Sequence, residues 1–206
     1  YNDQELIKLI AKIKEKTIPE WVRINRLGRD IPAGNIAAGT KISNIRQVVQ
    51  ERLKKENLKC QCIRCREIRK KYNPEEKIEF KQTVYTASGG EEYFLQYVNN
   101  KDELYALLRL RITEQIKENK KHFISELQDA AIIRELHTYG LALPIETKRK
   151  QSPQHKGLGR KLIKKAEEIV KNQGINKIAV ISGIGVREYY KKLGYKQKGT
   201  YMVKEL

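Results

Sequence analysis

The segment running from residue 130 to residue 172 restricts the fold of this 206-residue chain more than any other. "AAIIRELHTYGLALPI" reads as a long strand, and "QHKGLG" (Gln154 to Gly159) follows it as a tight loop. Arg160 to Asn172 then has the apolar stripe of a helix, and "KIAVIS" reads as a buried strand. Glycines at 157 and 159 let the backbone approach a ligand closely, and the first N–H groups of a helix have no internal partners. Strand, glycine loop and helix in this order are suited to holding a phosphate. The loop is neither a Walker A motif nor G-x-G-x-x-G. A G-x-G pair is by itself also compatible with a plain turn.

Upstream of that unit, "KIEFKQTVYTASG", "EEYFLQYVN" and "ELYALLRLRI" read as strands, the last two joined by "NNKD". Downstream, "VREYYKKLG" reads as a short helix ended by Gly194, and "YKQKGTYMVKEL" as one or two closing strands. These elements predict a mixed α/β domain over residues 76–206. Residues 1–75 have a different texture. A helix is expected over Asp3 to Lys16, with Leu6, Ile7, Ile10 and Ile13 on one face. "WVRINRL" alternates like a strand, and Asn44 is placed to cap a second helix through Leu58 that carries Ile45, Val48, Val49 and Leu53.

Cys60, Cys62 and Cys65 form C-x-C-x2-C and are the only cysteines. Three thiolates this close repel one another unless a cation neutralises them, so the motif points to a structural zinc with a fourth ligand from elsewhere. Of the imidazoles outside the glycine loop, His137 is preferred to His122. No cysteine remains to complete an iron–sulfur cluster. So few cysteines, with no signal peptide and no membrane-spanning run, lead us to expect a cytoplasmic protein.

The net charge is +18. A solvated lysine-rich surface is one reading; an excess this large favours a polyanion partner, nucleic acid first. Arg23, Arg26, Arg29, Lys41, Arg46, Arg64 and Arg66 concentrate the charge near the cysteines. No RRM or KH motif is present, so recognition of RNA shape and backbone is expected.

The loop pattern Q/R-x-x-G-x-G/A at a strand-to-helix junction, followed by "YYKKLGY", resembles the GNAT acetyltransferases. The resemblance implies a GNAT fold behind an N-terminal helical and zinc-linker segment. It implies that Gln154, His155, Lys156, Gly157, Leu158, Gly159 and Arg160 hold the pyrophosphate of acetyl-CoA. The long strand would part from "KIAVIS" to admit the pantetheine arm. Tyr190 aligns with the tyrosine that protonates the CoA thiolate, with Tyr189 as its neighbour; packing in the core is the alternative for both. Glu135 shares a face with His137 and Tyr139 by strand period and is a candidate base, with a structural salt bridge as the equal alternative.

"RELHTYG", "QHKGLGRKL" and "GVREYYKKLGY" are more closely similar to the acetyltransferase domain of the Elongator catalytic-subunit family. "WVRINRLGRDIP", "AGTKISNIRQ" and "CQCIRCREI" resemble the segment that joins this family's radical S-adenosylmethionine domain to that domain. The family's iron–sulfur cysteine motif is not in this sequence, so the resemblance places S-adenosylmethionine and its iron–sulfur cluster in an upstream domain that this chain mostly lacks. The implied function is acetyl-CoA-dependent modification of the tRNA wobble uridine towards 5-carboxymethyluridine, with hydrolysis of the thioester. The implied partners are tRNA, acetyl-CoA, and a homodimer or further Elongator-like subunits. Two rival readings are a protein lysine acetyltransferase and a non-catalytic RNA-binding module.

Overall fold

The computed structural model describes residues 1–28, 32–69, 75–118, 120–140 and 157–206. They form two compact units, Tyr1–Glu67 and Ile68–Leu206.

The first unit is helical. α1 (Asp3–Lys16) opens on a capping box in which Asn2 and Glu5 satisfy each other's backbone N–H groups at 2.9 Å. α2 (Ile45–Lys55) buries Ile45, Val49 and Leu53. The single-turn α3 (Ile63–Arg66) follows Cys62. The core joins Ala11, Ile45, Val49 and Leu53 to Cys60 and Cys62.

Three expectations are corrected here. Residues 21–27 form no strand, because in this unit no neighbouring strand is available to pair with them among the described residues. Asn44 makes no side-chain cap, and α2 stops at Lys55, three residues short of Leu58. On α1, Ile13 is 39% exposed while Lys14 is 1% exposed. The 3.6-residue repeat carries the inner stripe through Ile7, Ile10, Ala11 and Lys14, so the helix period places a lysine where residue type suggested an isoleucine.

The second unit is built on a mixed sheet of order β1-β2-β3-β4-β5-β7-β6. β1 (Ile78–Thr86), β2 (Gly90–Asn99), β3 (Leu104–Thr113) and β4 (Ala131–Thr138) form an antiparallel meander. After β3 comes the single-turn α4 (Glu114–Lys117), and after β4 comes α5 (Leu158–Asn172). α5 leads to β5 (Lys177–Ile181), which runs parallel to β4, and α6 (Arg187–Lys191) precedes β6 (Lys196–Lys198) and β7 (Tyr201–Glu205). α5 lays Leu158, Leu162, Ile163, Ala166 and Val170 on the core that contains Leu108, Leu110, Ile133, Ile178, Val180 and Met202. Burying that stripe contributes about 2 kcal/mol for each large aliphatic side chain. It fixes the N-terminus of α5 over the C-terminal end of β4.

Candidate functional site

β4 and β5 pair only from Ala131 to Ile133 and from Ile178 to Val180. Beyond these three pairs the strands part. On the other side of β4, Arg109 of β3 faces Glu135 while the adjacent Leu110 faces Ile133, so Arg134 is the extra residue of a β-bulge. A bulge re-aims side chains. Ile133 and, past the bulge, Leu136 both join the α5-side core. Arg134 keeps to the opposite face with Ile132 and reaches Glu92, with Nη1 2.5 Å from Oε1, and Arg111 Nη1 reaches the same oxygen at 2.9 Å. A cleft of about 230 Å³ opens where β4 and β5 separate, between the backbone of residues 133–137 and that of 180–183, with Tyr190 and Val186 at its wall.

α5 begins beside this cleft. Gly157 takes the left-handed conformation (φ 65°), which favours glycine, and its carbonyl accepts the helix bond from Lys161 N–H at 3.0 Å. The N–H groups of Leu158, Gly159 and Arg160 precede that bond and project from the helix end. At Gly159 a β-carbon would come 3.1 Å from the Tyr189 hydroxyl and 3.7 Å from Thr138 Cγ2. Gln154, His155 and Lys156 lie outside the described residues.

The two tyrosines are arranged differently. Tyr190 is 5% exposed, lines the cleft and packs edge-on against Tyr189 and Tyr195, with ring centroids 5.3 and 5.7 Å away. Burial pushes its phenol up to about 12, and Tyr189 adds to the rise. Tyr189 is 39% exposed; burial raises its phenol and Arg160 opposes the rise. Tyr195 donates to Glu167 at 3.0 Å, and burial, with Glu167 second, raises it strongly.

Glu135 accepts from Arg109 Nε at 2.7 Å, and His137 Nε2 lies 3.3 Å from its other oxygen. Both carboxylate oxygens are therefore engaged. The His137 ring stacks on Tyr139 at 6.0 Å, in keeping with the two-residue period along this strand.

In the first unit the sulfurs of Cys60, Cys62 and Cys65 lie within 4.8 Å of one another, and Cys60 and Cys62 are buried. Cys65 N–H donates to the Cys62 carbonyl at 2.9 Å, so one turn of helix sets these two side chains on the same side. Three soft donors so close together in an apolar core fit zinc. Among the described residues no imidazole joins this group of ligand atoms. Lys14 Nζ does approach it, at 3.6 Å from Cys65 Sγ and 4.0 Å from Cys62 Sγ, and sequence reasoning missed this.

The basic residues also separate. Arg66 is 6% exposed with Glu20 at 3.6 Å, so burial removes it from a nucleic-acid surface. Arg23 pairs with Glu67 at 2.7 Å, and Arg46 donates to the Ile24 carbonyl at 2.8 Å. Arg64 is half-buried, Arg26 and Lys41 are exposed, and Arg29 lies outside the described residues.

Residues 1–55 match the family model of the Radical_SAM C-terminal domain, and residues 150–205 match that of the acetyltransferase (GNAT) domain. Proteins named tRNA uridine(34) acetyltransferase from Methanocaldococcus jannaschii and Elongator complex protein 3 from Schizosaccharomyces pombe are 44% and 41% identical, each over 100% of this chain. The chain covers 39% and 38% of those proteins, about two-fifths of the length of the curated relatives it matches. The solved structure of archaeal Methanocaldococcus infernus Elp3 with an N-terminal deletion aligns with a TM-score of 0.83 at 42% identity, over 100% of this chain and 49% of that one. The expectation of a mixed α/β chain with a GNAT acetyltransferase fold is borne out. No described helix is long and apolar enough to cross a membrane.

Proposed function

This chain is homologous along its whole length to proteins named tRNA uridine(34) acetyltransferase and Elongator complex protein 3, and from that premise we propose that it binds acetyl-CoA between β4 and β5 and serves acetyl-CoA-dependent modification of the tRNA wobble uridine at carbon-5. The observation that carries the reading is the parting of β4 from β5 beside the N-terminus of α5, with Tyr190 on the cleft wall. The N–H groups of Leu158, Gly159 and Arg160 hold the pyrophosphate, where the helix dipole favours negative charge. The pantetheine arm follows β4 past the bulge, and the β5-side edge of β4 beyond Ile133 is available to its amides. The thioester then lies near Tyr190.

Water opens the thioester in this reading. A carbon–oxygen bond forms, the carbon–sulfur bond breaks, and acetate and CoA thiol leave. Tyr190 gives its proton to the departing sulfur and regains one from the attacking water. A phenol with a pKa near 12 stays protonated at neutral pH. The same desolvation raises the basicity of a thiolate formed beside it, which keeps the transfer matched. Glu135, held by Arg109, stiffens the bulged strand and is not used as a base.

Zinc on Cys60, Cys62 and Cys65 ties the N-terminal unit together. Radical chemistry needs S-adenosylmethionine and an iron–sulfur cluster. With three cysteines in all, the chain offers no second ligand set for that cluster. RNA phosphates are met by the exposed part of the basic surface, including Arg26 and Lys41.

The test is acetyl-CoA binding by calorimetry and CoA thiol release, each with and without tRNA. Binding that is lost in Gly159→Glu, and cleavage that falls about 10²-fold or more in Tyr190→Phe at unchanged affinity, are expected. Acetyl-CoA binding that survives Gly159→Glu would remove the cleft assignment, and full cleavage by Tyr190→Phe would remove the donor.

A further inference from the structure

We propose that Lys14 is the counter-charge of the cysteine site: its ammonium donates to the sulfurs of Cys62 and Cys65 and cancels the negative charge that three thiolates leave on a divalent metal. This rests on the metal reading of the cysteines and adds a residue to it that no spacing motif contains.

Lys14 is the most deeply buried charged group of the N-terminal unit, at 1% exposure. It sits on the inner stripe of α1, a turn beyond Ile10 and Ala11, against a core of Ala11, Ile45, Val49 and Leu53 with Cys60 and Cys62. An ammonium taken out of water into such a place is costly unless an anion meets it. The hydrogen-bond partners of Nζ among the described residues are two sulfurs, Cys65 Sγ at 3.6 Å and Cys62 Sγ at 4.0 Å. Neutral thiols are weak acceptors and would not offset the desolvation. Thiolates would. Gln50 Nε2 adds a neutral donor to Cys65 Sγ at 3.9 Å, so this sulfur receives two N–H groups from two different helices.

Charge selects among the roles these distances allow. Three thiolates around a divalent ion carry one net negative charge, which is itself expensive in an apolar core. One ammonium beside the sulfurs brings the cluster to neutrality. A neutral amine bound to the metal would complete a ligand set but leave that charge in place. The first arrangement satisfies Lys14 and the metal cluster together. It also explains why a lysine is tolerated on the buried face of α1: the helix is docked onto the cysteine segment and α3 through the metal site, and onto α2 through its aliphatic residues.

The experiment uses the full chain. Zinc content of the wild type is measured first, and about one zinc per chain is expected. Zinc affinity is then measured by chelator competition on the wild type, Lys14→Met and Lys14→Arg. Lys14→Met should weaken zinc binding about 10- to 100-fold, the range for losing a partner of a metal ligand, while Lys14→Arg stays within a few-fold of wild type. Equal loss in both variants, or unchanged affinity in Lys14→Met, overturns the counter-charge role. If Lys14→Met does not fold, the wild type decides. Loaded with ¹¹³Cd and labelled with ¹⁵N-lysine, it should show a slowly exchanging ammonium signal without cadmium coupling, and a ¹¹³Cd–¹⁵N coupling would make Lys14 a ligand instead. A wild type that takes up no zinc would end the metal reading itself, and the role of Lys14 with it.

Discussion

The Tyr189 hydroxyl sits so close to Gly159 that a β-carbon on the glycine would come within 3.1 Å of it. The contact lies at the N-terminal turn of α5, where the anion-binding N–H groups are proposed to work. It links α6 to that turn.

Gly159→Ala should therefore reveal a coupling. In a helix, alanine is favoured over glycine by about 1 kcal/mol. Here that gain is offset by displacement of the Tyr189 hydroxyl. In a Tyr189→Phe background the obstruction is gone and the gain should appear. A double-mutant cycle by urea denaturation is expected to give an interaction of about 0.5–1 kcal/mol. Strict additivity would mean that Tyr189 swings aside at no cost.

Tyr190 predicts a loss of stability in alkali. An unfolded tyrosine ionises near pH 10, whereas this one is pushed up to about 12 in the fold. Between those values the native state keeps a proton that the unfolded state has lost, so its contribution is full below pH 10 and falls as pH rises to about 12. Tyr190→Phe should show a shallower decline between pH 10 and 12. Parallel curves for the two proteins, measured by urea midpoint, would deny the shift.

The cysteine site predicts linkage between metal and folding. Removing zinc by chelation, or making Cys62→Ser, should lower the melting temperature of the N-terminal unit. At free metal a hundredfold above its Kd, binding contributes about 2.7 kcal/mol. A metal-free protein that melts at the wild-type temperature in calorimetry would exclude a structural metal.

The basic surface predicts salt-dependent tRNA binding that distinguishes exposed from buried arginines. Arg26→Glu and Lys41→Glu should each weaken binding and lower the salt slope by about one. Arg66→Met, at a buried ion pair with Glu20, should act on folding instead. Unchanged tRNA affinity in both exposed variants would move the RNA to another face.

The ease of reading the sequence followed the number of residues that share each signal. α1, α2, the meander and α5 repeat their apolar period over several turns or pairs, and they stand where the periodicity puts them. Trp21 to Leu27 alternates as well, but alternation needs a neighbouring strand, and none is at hand among the described residues of that unit. The Arg134 bulge adds one residue to one strand; nothing in "AIIRELHT" distinguishes it from regular extension. It is nevertheless what brings Glu135 onto the sheet face of Arg109. Lys14 was hidden for a different reason. A lysine on an amphipathic helix is normally read as solvent-facing, and only the position of the cysteines in three dimensions provides the anion that holds it inside. Arg66 was misplaced by the same habit.

Seven strands are hydrogen-bonded into one sheet, yet its two halves meet through only three residue pairs, Ala131–Ile133 against Ile178–Val180. That seam is a short junction, backed on one side by the apolar stripe of α5. Deformation of the sheet is expected to concentrate there, with the meander and the β5–β7 ribbon moving about the seam as two plates about a short hinge. A molecule lodged in the fork beyond Ile133 is a strut across that hinge. Occupancy of the cleft is then expected to stiffen the seam, and slower amide exchange at Ile133 and Val180 would record it.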